Sequence, residues 1–440
     1  MISIESFPVG IKNINSERNC FMSIITLERS IHPVGDGAFY SEVFKSNGLA
    51  NEQFVTVYDC GSNTKSAIKS QINDFKNEPN TKINLLFISH FDKDHISGVK
   101  ELIQTGLLDS STNVFIPLLV HFDTALGDKL SIEYSSLLNL FKEKSIQERF
   151  ILPYQNDVKT QELDQFIFPN MVRVSNEKDI NSDTNSNKPI PSGTKIRSVS
   201  FSKGGFQPFW EYIPFHICDD SVYNEFIQKV NASGLDFDKL ISDPCYIFDT
   251  NNCQTLKDIY QNVGKGSNEV TRRNVNSLLL MSRMDENCSL VNNIPYICFR
   301  QNQIRMLPGW LKCSYNVDST SCLYTGDSTI TKKKMSSKFF DCCKHMGVYK
   351  GGRKIAIFQV PHHGSINNYN YDLHNKVDID VGFYCRSTGS DISTFDNNIV
   401  CDFVSRNKII YMVNENNNSK LTQIIKISLK PVGGINLEHI

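Results

Sequence analysis

The chain has 440 residues and a net charge of −1, with 40% hydrophobic and 21% charged residues. That is a globular balance, which excludes a disordered or fibrous polymer, and the near-zero charge excludes a global field that gathers nucleic acid. The 13 cysteines are odd in number, irregularly spaced and without a Cys-x-x-Cys, against a disulfide framework or a zinc ribbon.

Residues 23–27 read as a first strand, Gly35 and Gly37 as a turn, and residues 38–40 as the start of the return strand. Residues 55–58 form the next strand, and residues 64–77 a helix ended by Pro79. The apolar run Leu85-Leu86-Phe87-Ile88 leads directly into Ser89-His90-Phe91-Asp92-Lys93-Asp94-His95. Ile96, Val99, Leu102 and Ile103 then follow at helical spacing. A strand is expected over 114–120, ending at His121, and a helix over 130–147. Residues 176–194 are a polar loop. Strands are expected at 196–201 and 209–216, the latter an edge strand because of Pro214. Two helical stretches fall within 219–262, and another helix at 331–346. Residues 378–384, 408–413 and 422–429 supply the remaining strands. Periodicity alone gives an α/β fold.

Three strand ends carry chemistry. The turn Ser89–His95 packs two imidazoles and two carboxylates into six residues, at the strand terminus where α/β folds commonly build sites. Such groups bind divalent metals, and crowding them is costly unless a cation offsets the charge. The competing reading is a solvated acidic turn that caps a helix. Far downstream, Leu323-Tyr324-Thr325-Gly326-Asp327 and Ile355 to Val360 followed by Pro361-His362-His363-Gly364-Ser365 also place ligand-type groups at strand ends. Together these three segments supply a di-metal ligand set.

With these motifs the sequence resembles the metallo-β-lactamase superfamily, in particular the hydrolase domain of ComEC-type competence proteins, as a soluble stand-alone relative. Val34-Gly35-Asp36-Gly37, Asp59-Cys60-Gly61 and Asn276-Ser277-Leu278 are similar to further family signatures. Asp92 stands where the family usually has its second histidine.

The resemblance implies an αβ/βα four-layer sandwich over residues 22–430, with 125–270 as a large insertion that shapes the substrate cleft. It implies one or two Zn²⁺ or Mn²⁺ ions held by His90, Asp92, Asp94, His95, Asp327 and one of His362 and His363, since only one imidazole can point at the metal from a strand end, with Asp327 bridging. Asp94 and Asp327 would be catalytic, and Asp59 would support a ligand rather than bind metal. The implied activity is phosphodiester hydrolysis by a metal-activated hydroxide, a nuclease acting on DNA or RNA. Ser365, Lys93, Arg272 and Arg273 would meet the substrate. His121 and His216, the histidines between the first motif and Asp327, lack the context of the family's remaining ligand. The alternatives are a metallo-hydrolase of a lactone, thioester or cyclic nucleotide, and a non-catalytic binding subunit. No signal peptide and no apolar run of about 18 residues is present, so the expected location is cytoplasmic, without a membrane partner.

Overall fold

The computed structural model describes residues 23–46, 53–78, 81–120, 131–155, 189–197, 209–242, 246, 250–263, 277–285, 296–301, 304–306, 317–331, 333–389 and 397–429. His121, Arg272, Arg273, Lys332 and residues 176–188 of the polar loop lie outside them.

The strands, in chain order, are β1 (Ser23–Ile31), β2 (Phe39–Ser46), β3 (Gln53–Cys60), β4 (Leu85–Phe87), β5 (Asn113–Pro117), β6 (Gln147–Ile151), β7 (Ile196–Arg197) and β8 (Trp210–His216). They continue with β9 (Leu278–Met284), β10 (Tyr296–Gln301), β11 (Ile304–Met306), β12 (Cys322–Tyr324), β13 (Ile355–Gln359), β14 (Ile379–Cys385), β15 (Ile409–Val413) and β16 (Leu421–Leu429). Among the described residues they form a nine-stranded sheet, β11-β10-β16-β1-β2-β3-β4-β5-β6, and a seven-stranded sheet, β15-β14-β13-β12-β9-β8-β7. Each sheet is mixed. The first runs antiparallel as far as β3 and parallel from β3 to β6. The second is parallel from β12 to β15 and antiparallel from β12 back to β7.

Parallel neighbours need crossover connections, and helices supply them. Lys65–Lys76 connects β3 to β4, and Val99–Gln104 connects β4 to β5. Ser131–Glu143 precedes β6, and Lys333–His345 connects β12 to β13. The first of these buries Ile68, Ile72 and Phe75, one face at helical spacing.

Strands packed on both faces read as continuous apolar runs, and β4 shows why. Leu86 enters the core beneath the helices of the first sheet, while Leu85 and Phe87 face the second sheet. A third core lies between the second sheet and the helices Lys333–His345 and Asn397–Ser405. The layers are therefore helix, sheet, sheet, helix.

A buried ion pair joins the two sheets. Arg29 on β1 donates from Nε to Glu42 Oε1 on β2 at 2.7 Å. Glu42 also accepts from Tyr212, Ser282 and Tyr324 of the opposite sheet at 2.8, 2.7 and 2.9 Å. The three donors from the opposite sheet fix how one sheet sits on the other, and Arg29 balances the charge, since a buried charge is tolerated only when it is paired and hydrogen-bonded.

The segment read as an insertion contributes strands to both sheets. β6 is the edge of the first sheet, and residues 151–154 continue from it to bridge Ile190 and His216 beside the second. The helices Asp220–Ala232, Phe237–Ser242 and Thr250–Gln261 pack into the core of the first sheet's helical layer. Two expectations change. β8 is not an edge strand: it pairs with β9 along its length and with β7 opposite Tyr212 and Glu211, and only near Pro214 does a loop N–H, from Gly193, replace a strand. The strand before His121 ends at Pro117. β16 pairs with β1 and β10 of the first sheet.

Candidate metal centre

Four turns meet where the carboxyl ends of the parallel strands of both sheets converge. Asp59 closes β3 in the left-handed region, with φ +55°. The turn after β4 carries Ser89 and His90, and the short helix Lys93–Ile96 carries Asp94 and His95. After β12, Gly326 turns with φ +53°, and a Cβ there would meet the Ser89 Cβ at 2.8 Å, so only glycine lets this turn reach the first. Gln359 of β13 holds the same turn by accepting from the backbone N–H of Thr325 and Gly326. After β13, His362 and His363 both adopt left-handed conformations, φ +50° and +53°. Such conformations cost about 1–3 kcal/mol each in non-glycine residues and cluster at functional sites.

This backbone changes one expectation. A regular strand end directs only one of two adjacent imidazoles inward, but consecutive left-handed residues direct both toward Asp327. His363 Nε2 lies 3.1 Å from Asp94 Oδ2 and 3.8 Å from Asp327 Oδ1. His362 Nε2 lies 3.5 Å from Asp327 Oδ2. The two oxygens of Asp327 thus face two groups. On the Oδ1 side are His95 (Nε2 at 3.1 Å), His363 and Asp94. On the Oδ2 side are His90 (Nε2 at 3.6 Å) and His362, with Asp92 Oδ2 3.8 Å from His90 Nε2. Asp94, His95, Asp327 and His363 each present one ligand atom within 4.8 Å of the others.

All four imidazoles are oriented alike. His95 Nδ1 donates to Asp59 Oδ2 at 2.8 Å. The Ser89 hydroxyl donates to Asp59 Oδ2 at 2.6 Å and so accepts a hydrogen bond from His90 Nδ1 at 2.9 Å. His362 Nδ1 faces Asn368 Oδ1 at 3.0 Å, and His363 Nδ1 faces the Cys385 carbonyl at 3.1 Å. Each Nδ1 therefore carries the proton, and each Nε2 lone pair points at the carboxylates. This is how metal-ligating histidines are held.

Burial decides what the cluster needs. His90 and His95 are fully buried, and Asp327 nearly so. His90 Nε2, His95 Nε2 and Asp327 Oδ1 are buried without a hydrogen bond. Burial opposes charge on Asp327, yet His95, His362 and His363 hold its carboxyl well below the usual range. Burial likewise opposes charge on Asp94, and His95 and His363 hold it low. Conversely, burial would lower His95, but Asp327, Asp59 and Asp94 raise it well above 6.5. His363 is raised against burial by Asp327 and Asp94, while burial and the neighbouring His95 lower His90. The site draws positive charge, and without a metal it takes protons. Orphaned buried donor atoms and excess carboxylate fit a divalent cation.

The remaining sequence-selected residues stand apart. Lys93 is exposed at the start of its short helix. Ser365 is half-buried, and its N–H donates to His362 O at 2.9 Å. Lys338, in the basic run after Asp327, is buried, and its ammonium is spent on the Cys218 carbonyl and Asp220. His216 is a buried core histidine pushed down to about 3 by burial, with Nδ1 3.1 Å from Ile151 O. Sequence reasoning missed Asn368, the hydroxyl role of Ser89 and the Cys385 carbonyl. Only the first leaves a sequence trace, an asparagine in the polar run after the paired histidines.

Fold and site define an α/β protein of two mixed, helix-flanked sheets with a buried His/Asp group suited to a metal ion. Comparison with protein-family models finds no match, and comparison with curated proteins finds none either.

Proposed function

We propose that the chain is a metal-dependent hydrolase of metallo-β-lactamase type that cleaves phosphodiester bonds, as a nuclease does. One observation carries the metal part of this reading: four imidazoles on two separate turns all present Nε2 to the two oxygens of one buried aspartate on a third. Asp94, His95, Asp327 and His363 would hold one ion. His90, Asp92, His362 and the second oxygen of Asp327 would hold another. A pair of divalent ions supplies an activated water at neutral pH and offsets the charge that develops on a phosphate. The mixture of carboxylate and imidazole suits Zn²⁺ or Mn²⁺.

The chain's own residues do the rest. Asp59 and Ser89 keep His90 and His95 in the ligating tautomer. Asp92, Asp94, His362 and His363 form the partly exposed side of the cluster, where a substrate would enter, and Lys93 stands exposed at that rim. The phosphodiester assignment rests on the resemblance of the motifs to ComEC-type domains, since the fold alone hosts many chemistries. The test is a substrate panel of single- and double-stranded DNA, bis-p-nitrophenyl phosphate and a lactone, each with Zn²⁺ or Mn²⁺ and with chelator. Metal-dependent cleavage of DNA and of the small phosphodiester is expected. Turnover of the lactone alone would overturn the phosphodiester assignment.

A further inference from the structure

Asn368 belongs to none of the motifs, yet it is nearly buried and joins two of the turns that build the metal centre. Its Nδ2 donates to the carbonyls of Asp327 at 3.1 Å and Ser328 at 3.3 Å, and to Thr329 Oγ1 at 3.0 Å. Its Oδ1 lies 3.0 Å from His362 Nδ1. Its backbone is held as well, donating from N to Ser365 O at 3.0 Å and accepting at O from Ile330 N at 3.2 Å.

The amide has one workable orientation. Two of the three groups around Nδ2 are backbone carbonyls, which only accept, so the NH₂ must face them. The oxygen must then face His362. An amide oxygen also only accepts, so His362 Nδ1 must carry the proton, which leaves the lone pair on Nε2. That atom is 3.5 Å from Asp327 Oδ2. The backbone of the Asp327 turn thereby dictates, through one side chain, which nitrogen of His362 can bind a metal.

His362 needs such a partner more than the other three histidines do. It is 35% exposed, whereas His363 is 15% exposed and His90 and His95 are fully buried. It also sits on a left-handed backbone, fixed by its N–H donating to Gly326 O at 3.1 Å. Packing alone does not set its ring.

We infer that Asn368 is a positioning residue that orients His362 as a ligand of the Oδ2-side ion and leaves the Oδ1-side ion unaffected. This rests on the metal reading above. It explains how the Oδ2 side is completed although no histidine of the 125–270 segment reaches it among the described residues: His216 lies in the core and turns to Ile151.

Two measurements test it. In the metal-free wild-type chain, long-range proton–nitrogen NMR of labelled histidine reads the His362 tautomer directly. In the neutral ring a proton on Nδ1 is expected, and a neutral ring with its proton on Nε2 alone would overturn the assignment. Zn²⁺ titration calorimetry is then run on wild type, Asn368→Leu, His362→Ala and the double variant. Wild type should bind two ions. Asn368→Leu should weaken the second by about 10–100-fold, as loss of such outer partners does, with the first unchanged. In the His362→Ala background the same substitution should add nothing, because its effect passes through that ring. Equal weakening of both ions, or continued weakening without His362, would overturn the inference. A wild-type chain that binds no ion would instead contradict the metal reading itself, while the NMR result would still decide the tautomer.

Discussion

Asp59→Asn replaces one oxygen with an NH₂ group and should cost far more than its size suggests. Asp59 accepts from Ser89 N at 2.7 Å on Oδ1, and from Ser89 Oγ at 2.6 Å and His95 Nδ1 at 2.8 Å on Oδ2. All three are donors. The amide oxygen of asparagine must stay on the Ser89 N–H, since that group can only donate, so the NH₂ faces the hydroxyl and the imidazole. His95 Nδ1 must then accept, its proton moves to Nε2, and the nitrogen aimed at Asp327 loses its lone pair. The same inversion follows when a buried aspartate beneath a catalytic histidine becomes asparagine. The left-handed backbone at φ +55° suits asparagine, so the fold is expected to persist. His90 is disturbed through Ser89, so both ligand groups weaken. Loss of an outer partner costs about 10–100-fold in metal affinity, or about 1.4–2.7 kcal/mol. Competition with a chromogenic zinc chelator measures it, alongside a circular dichroism melt to establish folding. A folded Asp59→Asn chain with wild-type Zn²⁺ affinity would refute the tautomer argument.

Asp327→Ala should remove binding of both ions and all hydrolysis while the chain still melts cooperatively, because its two oxygens face separate ligand groups; retained binding of two ions by calorimetry would contradict this. The metal-free chain should respond to pH in a defined direction. His95 and His363 hold their protons more tightly folded than unfolded, so their contribution to stability is complete below 6.5 and is lost as pH rises through their raised values. Asp94 and Asp327 are depressed, so theirs is present above 3.8 and lost as pH falls. Melting temperature from pH 6 to 9 with chelator checks it, and a rise over that range would oppose these shifts. Glu42→Ala strands the Arg29 charge between the sheets and should destabilise by about 3–5 kcal/mol, read by urea denaturation, without altering the number of ions bound per chain.

The sequence disclosed the parts of the site that lie on single runs. Leu85 to Ile88 is apolar because both faces of β4 are covered, which announces a buried strand ending at the ligand turn. Gly326 and the paired histidines are visible as turn residues after apolar strands. What stayed hidden depends on contacts between distant segments. Both histidines face Asp327 because of two positive φ angles, and neither residue type signals them. Asn368 matters only because the Asp327 turn lies against it. The place of β16 between β1 and β10, the strand β6 and the interior place of β8 in its sheet follow from long-range pairing that local periodicity does not encode.

Metal content by inductively coupled plasma mass spectrometry tests most directly whether the cluster around Asp327 is a metal centre. Wild type, purified without chelator and then dialysed against Zn²⁺ or Mn²⁺, is expected to retain one or two ions per chain. His90→Ala/Asp94→Ala removes one ligand from each side of Asp327 and is expected to retain almost none. Equal metal content in the folded double variant and the wild type would contradict the account.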